Sequence, residues 1–195
     1  MKKNTKYKKI GFCICGSFCT IEKAIEQMKK LKEIGHEILP IMSFNAQSKD
    51  TRFGKAKEIS EKIENICNKK IIKTIEDAEP IGPKGLTDIL IIAPCTGNTL
   101  AKIEKSITDT PVTMAVKSHL RVQKNVVIAL ATNDALAGTA KNLGTMLNKK
   151  HFYFVPMLQD DVKNKPYSLV SEFKLIPKTL EKASAYIQIR PIFLT

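Results

Sequence analysis

Three short segments of the sequence combine small polar residues with a position between an apolar run and a stretch of helical periodicity. They are Gly16-Ser17-Phe18, Ser43-Phe44-Asn45 and Pro94-Cys95-Thr96-Gly97-Asn98-Thr99. A glycine and a hydroxyl side chain directly before a helix let backbone N–H groups converge on an anion, and the helix dipole adds a favourable potential. Phosphate is the natural ligand of such a segment, so we predict a phosphate-type site.

Each segment also has a purely structural interpretation. Gly16 can be a tight turn, and Ser17 or Thr20 can be the N-cap of the following helix. Asn98 and Thr99 can likewise cap the helix that follows the third segment. The sequence alone leaves both interpretations open.

The choice of nucleotide is narrower. The first segment, in the run GFCICGSF, lacks the G-x-G-x-x-G pattern of dinucleotide sites, and Ser43 stands where an Asp or Glu would hold a ribose. NAD is therefore disfavoured as a ligand of this chain. A mononucleotide such as FMN needs only one phosphate cradle and a loop of small residues beside its ring, and residues 94–99 suit that loop. We predict FMN, or phosphate in its place.

Other reactive residue types show no catalytic pattern. His36 opens a predicted strand, His119 ends a predicted helix and His151 precedes a strand, so we expect structural roles for all three. Cys95 would lie at a helix N-terminus, which lowers a thiol pKa. With no histidine near it in sequence, we expect Cys95 to have a packing role.

The cysteines also bear on metal binding and compartment. Cys13, Cys15 and Cys19 lie in or just after the first predicted strand, and the five cysteines lack the spacing of a disulfide framework. Alternate residues of a strand seldom supply the tetrahedral geometry of a zinc site, so no metal site is predicted. A reducing cytoplasm fits this cysteine usage.

Strands and helices alternate along the chain. Strands are predicted at residues 9–15, 36–42, 70–73, 88–93, 125–131 and 152–155, and helices at 21–34, 54–67, from about 98, 110–122, 135–147 and 177–189. Gly35 ends the first helix, and loops are predicted at 76–85 and 157–166. The unbroken apolar run DILIIA at 88–93 is typical of a strand covered on both faces, so it belongs in the sheet centre.

This alternation predicts a three-layer α/β/α, Rossmann-like (flavodoxin-like) fold with a parallel sheet of about six strands. Ligands of such folds bind beyond the carboxyl ends of the strands, where the three polar segments lie. A length of 195 residues suits one domain over residues 1–195. We expect a basic tail at 1–8, and a C-terminal loop and helix at 157–195 packed on the domain.

Composition excludes some functions. No apolar run reaches the roughly 18 residues of a membrane span, so no membrane partner is predicted. The basic start of the chain is interpreted as a solvated tail rather than a signal peptide. The net charge is +13, but the lysines recur on helix faces opposite Ile and Leu, with no aromatic-rich segment beside them. Nucleic acid is therefore not a predicted partner.

The three polar segments, above all APCTGNTLAKI at 93–103, resemble the flavoprotein family of cysteine and phosphopantothenoylcysteine decarboxylases and flavin prenyltransferases. More closely, residues 93–173 are similar to the dipicolinate synthase B subunits within that family. The resemblance implies four groups of cofactor contacts. They are Gly16, Ser17 and Phe18 at the FMN phosphate; Ser43 and Asn45; Pro94, Cys95, Thr96 and Asn98 beside the flavin; and Ala131, Thr132 and Asn133, with Asp134, in place of the family's P-x-M-N clamp.

The sequence departs from the family pattern at two places, and these departures limit which activity the resemblance implies. Only the asparagine of the P-x-M-N motif remains, as Asn133. The decarboxylases also use a histidine between the second helix and the fourth strand, whereas this chain has none from residue 37 through 118. Cysteine decarboxylation is therefore not expected.

The closer resemblance implies one component of a biosynthetic oxidoreductase. Such an enzyme forms dipicolinate, a pyridine dicarboxylate of bacterial endospores, from a dihydrodipicolinate precursor. It implies a separate dipicolinate synthase A subunit that carries NAD(P), a homo-oligomer, and the mother-cell cytoplasm of a sporulating bacterium. An FMN-dependent decarboxylase or prenyltransferase is the alternative if His119 reaches the strand-end cleft. A non-catalytic phosphate-binding module is the alternative if that cleft is closed.

Charged residues near the site complete these expectations. Lys102, Lys117 and Arg121 are candidates for attracting a dicarboxylate to the cleft, although solvated helix faces explain them equally well. Asp160 and Asp161 are expected to be a solvated loop pair that could reach the site from beyond the last strand.

Overall fold

The computed structural model describes residues 8–195, so residues 1–7 of the predicted basic tail lie outside the described part. Within it the strands are β1 Lys9–Ile14, β2 Glu37–Met42, β3 Ile89–Cys95, β4 Val126–Thr132, β5 Phe152–Phe154, β6 Met157–Leu158 and β7 Leu169–Ser171. The α-helices are α1 Ile21–Glu33, α2 Phe44–Ser48, α3 Ala56–Cys67, α4 Ile75–Ala78, α5 Gly97–Glu104, α6 Pro111–Leu120, α7 Ala140–Leu147 and α8 Ile176–Ser184.

The strands form one sheet in the order β2-β1-β3-β4-β7-β6, with β5 also paired to β4. Strands β1 to β5 are parallel, as the β-α alternation predicted. The first half of β4 pairs with β5, whereas Ala131 and Thr132 at its end pair with β7 in the antiparallel direction. Strand β3 lies between β1 and β4 and is buried along its whole length, which confirms that it is central.

Helices cover both faces of the sheet. One apolar cluster joins α1, α3 and α8 to alternate residues of β3, such as Ile91. A second cluster joins α5, α6 and α7 to the intervening residues, such as Ile92. The α/β/α layering is therefore confirmed. Helix α1 ends at Glu33, and Gly35, with φ 98°, supplies the predicted stop just after it.

The sheet is mixed rather than purely parallel, because it includes the antiparallel strands β6 and β7. These two strands were not predicted. Their residues fall at the start of the predicted 157–166 loop and just after it. The strands are two and three residues long, too short for an alternating pattern to be recognised. They form through antiparallel pairing with each other and with the end of β4.

Two other predictions in the first half of the chain were wrong. Residues 70–73 form no strand, and Ile72 makes only an isolated bridge to Ile41. The predicted 76–85 loop contains most of α4 and a 3-10 turn, Glu79–Ile81. Helix α4 forms there because the Thr74 hydroxyl accepts the Asp77 N–H at its start.

Helices α7 and α8 differ most from their predicted lengths. Helix α7 begins at Ala140 rather than at 135, because Asp134 holds the preceding residues in turns through the Thr139 N–H. Helix α8 ends at Ser184, since Tyr186 has φ 61° and the Ile187 N–H bonds back to Lys182 O. No helix within residues 8–195 combines the length and apolar character needed to cross a bilayer.

Candidate functional site

A cleft of about 790 Å³ lies beyond the carboxyl ends of β1, β3 and β4, and we call it the strand-end cleft. Its walls come from the segments after these three strands, from the loop before α3, and from β7 and the loop between β6 and β7. The residues predicted from sequence that line it are Gly16, Ser17, Phe18, Thr96, Asn98, Ala131, Thr132 and Asn133. The tertiary structure thus brings segments more than a hundred residues apart into one cleft.

The other predicted residues lie beside this cleft rather than on its surface. The Ser43 hydroxyl accepts the Ala46 N–H at 3.4 Å and so begins α2. Asn45 lies close to Gly16, since a Cβ built on that glycine would be 3.5 Å from the Asn45 Cβ. Pro94 and Cys95 are buried at the end of β3.

The first polar segment has a hydroxyl that no helix cap uses. Ser17 and Thr20 occupy the N-cap positions of the 3-10 turn Phe18–Thr20 and of α1, as the structural interpretation allowed, but neither makes a side-chain cap hydrogen bond. The Ser17 N–H donates to Cys15 O at 2.9 Å, which sets the turn. The Thr20 hydroxyl donates to Ser17 O at 2.9 Å and also lies 3.1 Å from Ser17 Oγ. Ser17 itself lines the cleft, so its hydroxyl is within reach of a ligand there.

The third polar segment is capped by Thr96 rather than by Asn98 or Thr99. The Thr96 hydroxyl accepts the Thr99 N–H at 3.2 Å at the start of α5. The Thr99 hydroxyl points inward, and donates to Cys15 Sγ at 3.3 Å. Asn98 is exposed in the cleft, and its side chain makes no hydrogen bond to any residue in the 8–195 range.

The segment after β4 is fixed by one carboxylate. Asp134 Oδ1 accepts the Thr132 hydroxyl at 2.6 Å, and Oδ2 accepts the Thr139 hydroxyl at 2.9 Å. The Asp134 carbonyl also accepts the N–H groups of Ala137 and Thr139. Because both carboxylate oxygens are engaged, Asp134 serves to shape the wall that presents Asn133 to the cleft.

Among the described residues, three cations line the cleft, and the sequence analysis did not select them. Lys23 projects from α1, and neither Lys23 nor Arg52 forms an ion pair with any residue that the structure describes. The Arg52 guanidinium lies over the Phe53 ring, 4.9 Å from its centroid. Lys165 comes from the loop between β6 and β7. The sequence did hold one indication for Lys23. It lies one turn after Thr20, in a helix that begins at the first polar segment, so its side chain starts near the predicted phosphate-type site.

The basic residues proposed from sequence lie elsewhere. Lys102 pairs with Asp109 at 2.8 Å, and Arg121 pairs with Glu79 at 3.2 Å. Lys117 is exposed on α6 and does not line the cleft. Their interpretation as residues of the cleft was therefore wrong. Lys117 and Arg121 lie on exposed faces, whereas Lys102 is partly buried beside Asp109.

Antiparallel pairing of β6 and β7 folds residues 159–168, which we call the β6–β7 loop, over the end of β4. Asp160, Lys165 and Ser168 of this loop line the cleft, so Asp160 reaches it as the sequence allowed. Asp161 instead accepts the Asn164 N–H at 3.0 Å within the loop. Partial burial raises the pKa of Asp160, but hydrogen bonds from Ser168 and Lys165 outweigh it and leave that pKa below its usual value.

The thiols near the site are of two kinds. Cys13, Cys15 and Cys95 are buried, and burial raises the pKa of Cys15 to about 11 and those of the other two well above their usual value. The predicted packing role of Cys95 fits this environment. Cys19 differs, because it is exposed and lines the cleft. No cluster of three His, Cys, Asp or Glu side chains suited to a metal ion occurs within residues 8–195.

The histidines lie away from the cleft. His119 is fully buried between Thr87 Oγ1 and Asn125 O, both at 3.2 Å. Thr87 and Asn125 precede β3 and β4, so His119 lies at the amino ends of the strands, opposite the cleft. Its burial lowers the pKa of the imidazole to about 3, so it is neutral. His151 contacts Asn125 at the same end.

The fold and the cleft define an α/β protein with a ligand-sized cleft at the carboxyl ends of its strands, lined by hydroxyls, two phenyl rings and three cations. The Flavoprotein family model matches residues 1–167, and the chain belongs to this family. The chain is 41% identical over 189 residues to the B subunit of dipicolinate synthase from Bacillus subtilis (strain 168), covering 97% of this chain and 94% of that protein.

Solved structures agree with this assignment. The crystal structure of the dipicolinate synthase B subunit from Bacillus halodurans superposes with a TM-score of 0.88 at 38% identity, over 96% of each chain. The FMN-dependent cysteine decarboxylase SpaF has a TM-score of 0.68 at 21% identity, over 91% of this chain and 97% of its own. The second likeness shows a common fold.

Proposed function

We propose that this chain is the B-type subunit of a dipicolinate-forming oxidoreductase and acts with a separate A-type subunit that carries NAD(P). The high identity to two dipicolinate synthase B subunits, over nearly their whole length, supports the assignment. The reaction removes two hydrogens from a dihydrodipicolinate precursor and leaves an aromatic ring. The structural observation that carries the proposal is the Ser17 hydroxyl, which is not used as a cap and lines the same cleft as Lys23 and Arg52.

The cleft fits FMN in size and chemistry. A volume of about 790 Å³ falls within the range of roughly 300–1,000 Å³ for small-molecule sites. The Ser17 hydroxyl, Lys23 and Arg52 would hold the phosphate, and phosphate alone would use the same groups. The small residues Thr96 and Gly97, with the rings of Phe18 and Phe53, would border the flavin ring system. When bound, FMN supplies a hydride acceptor.

The residues of this chain also suit a dicarboxylate at the β4 side of the cleft. Asn133 is exposed there, and Lys165 supplies a positive charge from the β6–β7 loop. Positive charge at a cleft raises the local concentration of an anionic substrate. The buried and neutral His119 offers no acid or base at this site, which weighs against the decarboxylase alternative.

The decisive experiment purifies the full-length chain alone and after co-expression with the A-type subunit. We expect a yellow protein whose flavin spectrum bleaches when the dihydrodipicolinate precursor is added, and dipicolinate formation, followed by ultraviolet absorbance, in the co-expressed pair. A colourless protein that refuses flavin yet sustains the activity would refute the role of FMN. A phosphate-binding module would instead make no difference to the activity of the A-type subunit.

We further propose a homo-oligomer in the mother-cell cytoplasm of a sporulating bacterium. Leu136, Val162 and Phe193 line one apolar groove and are 45%, 62% and 52% exposed. A contiguous apolar surface of this kind favours burial against a second chain. Light scattering of the purified chain should give a mass that is a multiple of 21.8 kDa. A monomeric mass at micromolar concentration would contradict the oligomer.

A further inference from the structure

The β6–β7 loop carries an ion pair that faces the strand-end cleft. Lys165 Nζ lies 3.4 Å from Asp160 Oδ2, and the two side chains are 52% and 35% exposed. Both residues line the cleft. Half-exposed pairs of this kind contribute at most about 1 kcal/mol, because water competes for both charges. Lys165 is therefore held loosely where a ligand would lie.

Asp160 is held more firmly than its partner. Its Oδ1 accepts the Ser168 hydroxyl at 2.6 Å, and Ser168 is buried. Loss of the contact with Lys165 would leave Asp160 in place, because the short hydrogen bond to Ser168 does not depend on it. The lysine can thus exchange partners while the carboxylate stays fixed.

The backbone around Lys165 is also fixed. The Lys165 N–H donates to Asp161 O at 2.8 Å, and the Ser168 N–H donates to Lys165 O at 3.0 Å. The side chain of Gln159 closes the loop by donating to Pro166 O at 2.8 Å. A change of partner at Lys165 therefore needs only side-chain rotation and no change in the backbone.

The other charges of the cleft have different positions or partners. Lys23 and Arg52 come from the β1 and β2 side, next to the phosphate-type segment. Asp134 has both carboxylate oxygens engaged by threonine hydroxyls. On the β4 side, Lys165 is the cation among the described residues that line the cleft.

We propose, resting on the function proposed above, that Lys165 exchanges Asp160 for one carboxylate of a pyridine dicarboxylate. Lys165 is then the residue that makes the cleft prefer two carboxylates over one. Asp160 competes with the ligand for the same ammonium group. It therefore weakens the binding of every carboxylate that uses Lys165, and prevents an uncompensated positive charge when the cleft is empty of substrate.

The test measures binding by calorimetry on the full-length chain, with pyridine-2,6-dicarboxylate and pyridine-2-carboxylate as probes. Lys165→Gln should reduce the ratio of the two affinities about tenfold, the loss of one charged hydrogen bond. Lys165→Arg should retain the ratio. Asp160→Asn should strengthen dicarboxylate binding about threefold, because the competing carboxylate is removed.

Lys163→Gln is the matched control, since Lys163 is an exposed lysine of the same loop that does not line the cleft. An equal loss in Lys163→Gln would mean a general charge effect and overturn the assignment of Lys165. An unchanged ratio in Lys165→Gln, or weaker dicarboxylate binding in Asp160→Asn, would overturn the exchange and leave the proposed function intact. If the unmodified chain binds neither probe, the carboxylate exchange is overturned, whereas the proposed function is decided by dipicolinate formation in the co-expressed pair.

Discussion

Gly97 lies so close to Thr139 that a Cβ atom on the glycine would stand 2.6 Å from the Thr139 hydroxyl oxygen. The same Cβ would be 2.9 Å from Asp134 Oδ1 and from Thr132 Oγ1. Separations below 3 Å require the neighbouring group to shift, and here that group is a hydrogen-bonded bracket of short side chains. The start of α5 and the segment after β4 therefore fit together only because residue 97 has no side chain.

Replacing Gly97 with alanine should break this bracket. We expect Gly97→Ala to lower the free energy of unfolding by about 1–3 kcal/mol, as overpacking does, and to weaken FMN or phosphate binding at the adjacent cleft. Gly144→Ala is the control, because nothing lies within 4 Å of a Cβ there and alanine favours the interior of α7. Urea denaturation of both variants checks the prediction, and equal stabilities for the two would contradict it.

Replacing Ser17 with alanine should weaken the phosphate-type site without affecting the fold. The Ser17 hydroxyl caps no helix, so its loss should cost little stability, while FMN or phosphate affinity should fall about tenfold. Fluorescence titration with FMN measures the change. Ser48→Ala, an exposed serine at the end of α2, is the control. A tenfold loss in both variants, or in neither, would argue against a ligand contact at Ser17.

Cys19 should report directly on occupancy of the cleft. It is the exposed cysteine among the five, and it lines the cleft, whereas Cys13, Cys15, Cys67 and Cys95 are buried. A thiol reagent should modify one cysteine rapidly in the native chain and all five after denaturation. Saturating FMN should slow the rapid reaction, and Cys19→Ser should abolish it. Labelling that saturating FMN does not slow would place the ligand elsewhere.

Acid should destabilise the protein through His119. Its folded pKa of about 3 is below the ordinary value of 6.5, so the unfolded chain takes up the proton first. The stability from the neutral, buried imidazole is complete above pH 6.5 and is lost as the pH falls toward 3. The loss should approach about 1.4 kcal/mol per pH unit.

Chemical denaturation at about pH 7, 6 and 5 measures this loss before most carboxylates titrate. His119→Gln should give a flatter dependence of unfolding free energy on pH than the unmodified chain, whatever its stability at neutral pH. Parallel dependences would show that the buried imidazole is not the group responsible.

Sequence patterns predicted the regular part of the fold well. Strands β1, β3 and β4 are buried on both faces, so their sequences are mostly apolar and lack the alternation of a strand with one solvated face. The strand prediction failed at residues 70–73, where the apolar pattern is short and the backbone pairs only through one bridge at Ile72. The late start of α7 depended on Asp134, whose carbonyl accepts the Thr139 N–H and whose carboxylate accepts the Thr139 hydroxyl.

Some residues of the candidate site could likewise be predicted from the sequence, and others could not. Gly16, Ser17, Thr96 and Asn98 were accessible to prediction because each follows the end of a predicted strand, and parallel strands place such segments together. Arg52 was not accessible, because it lies in an irregular loop whose course depends on the packing of α2 and α3.

The sequence by itself determined the α/β layering, the central place of β3 and the end of the sheet at which the cleft lies. Local apolar patterns carry this information, because they show which strands are buried on both faces and in which order strands and helices alternate. Only the tertiary structure decided that Asp160 and Lys165 join that end and that His119 lies at the opposite one. The reason is that β6 and β7 acquire their positions from pairing with the end of β4, and the position of a helix end relative to a cleft is set by packing rather than by its own sequence.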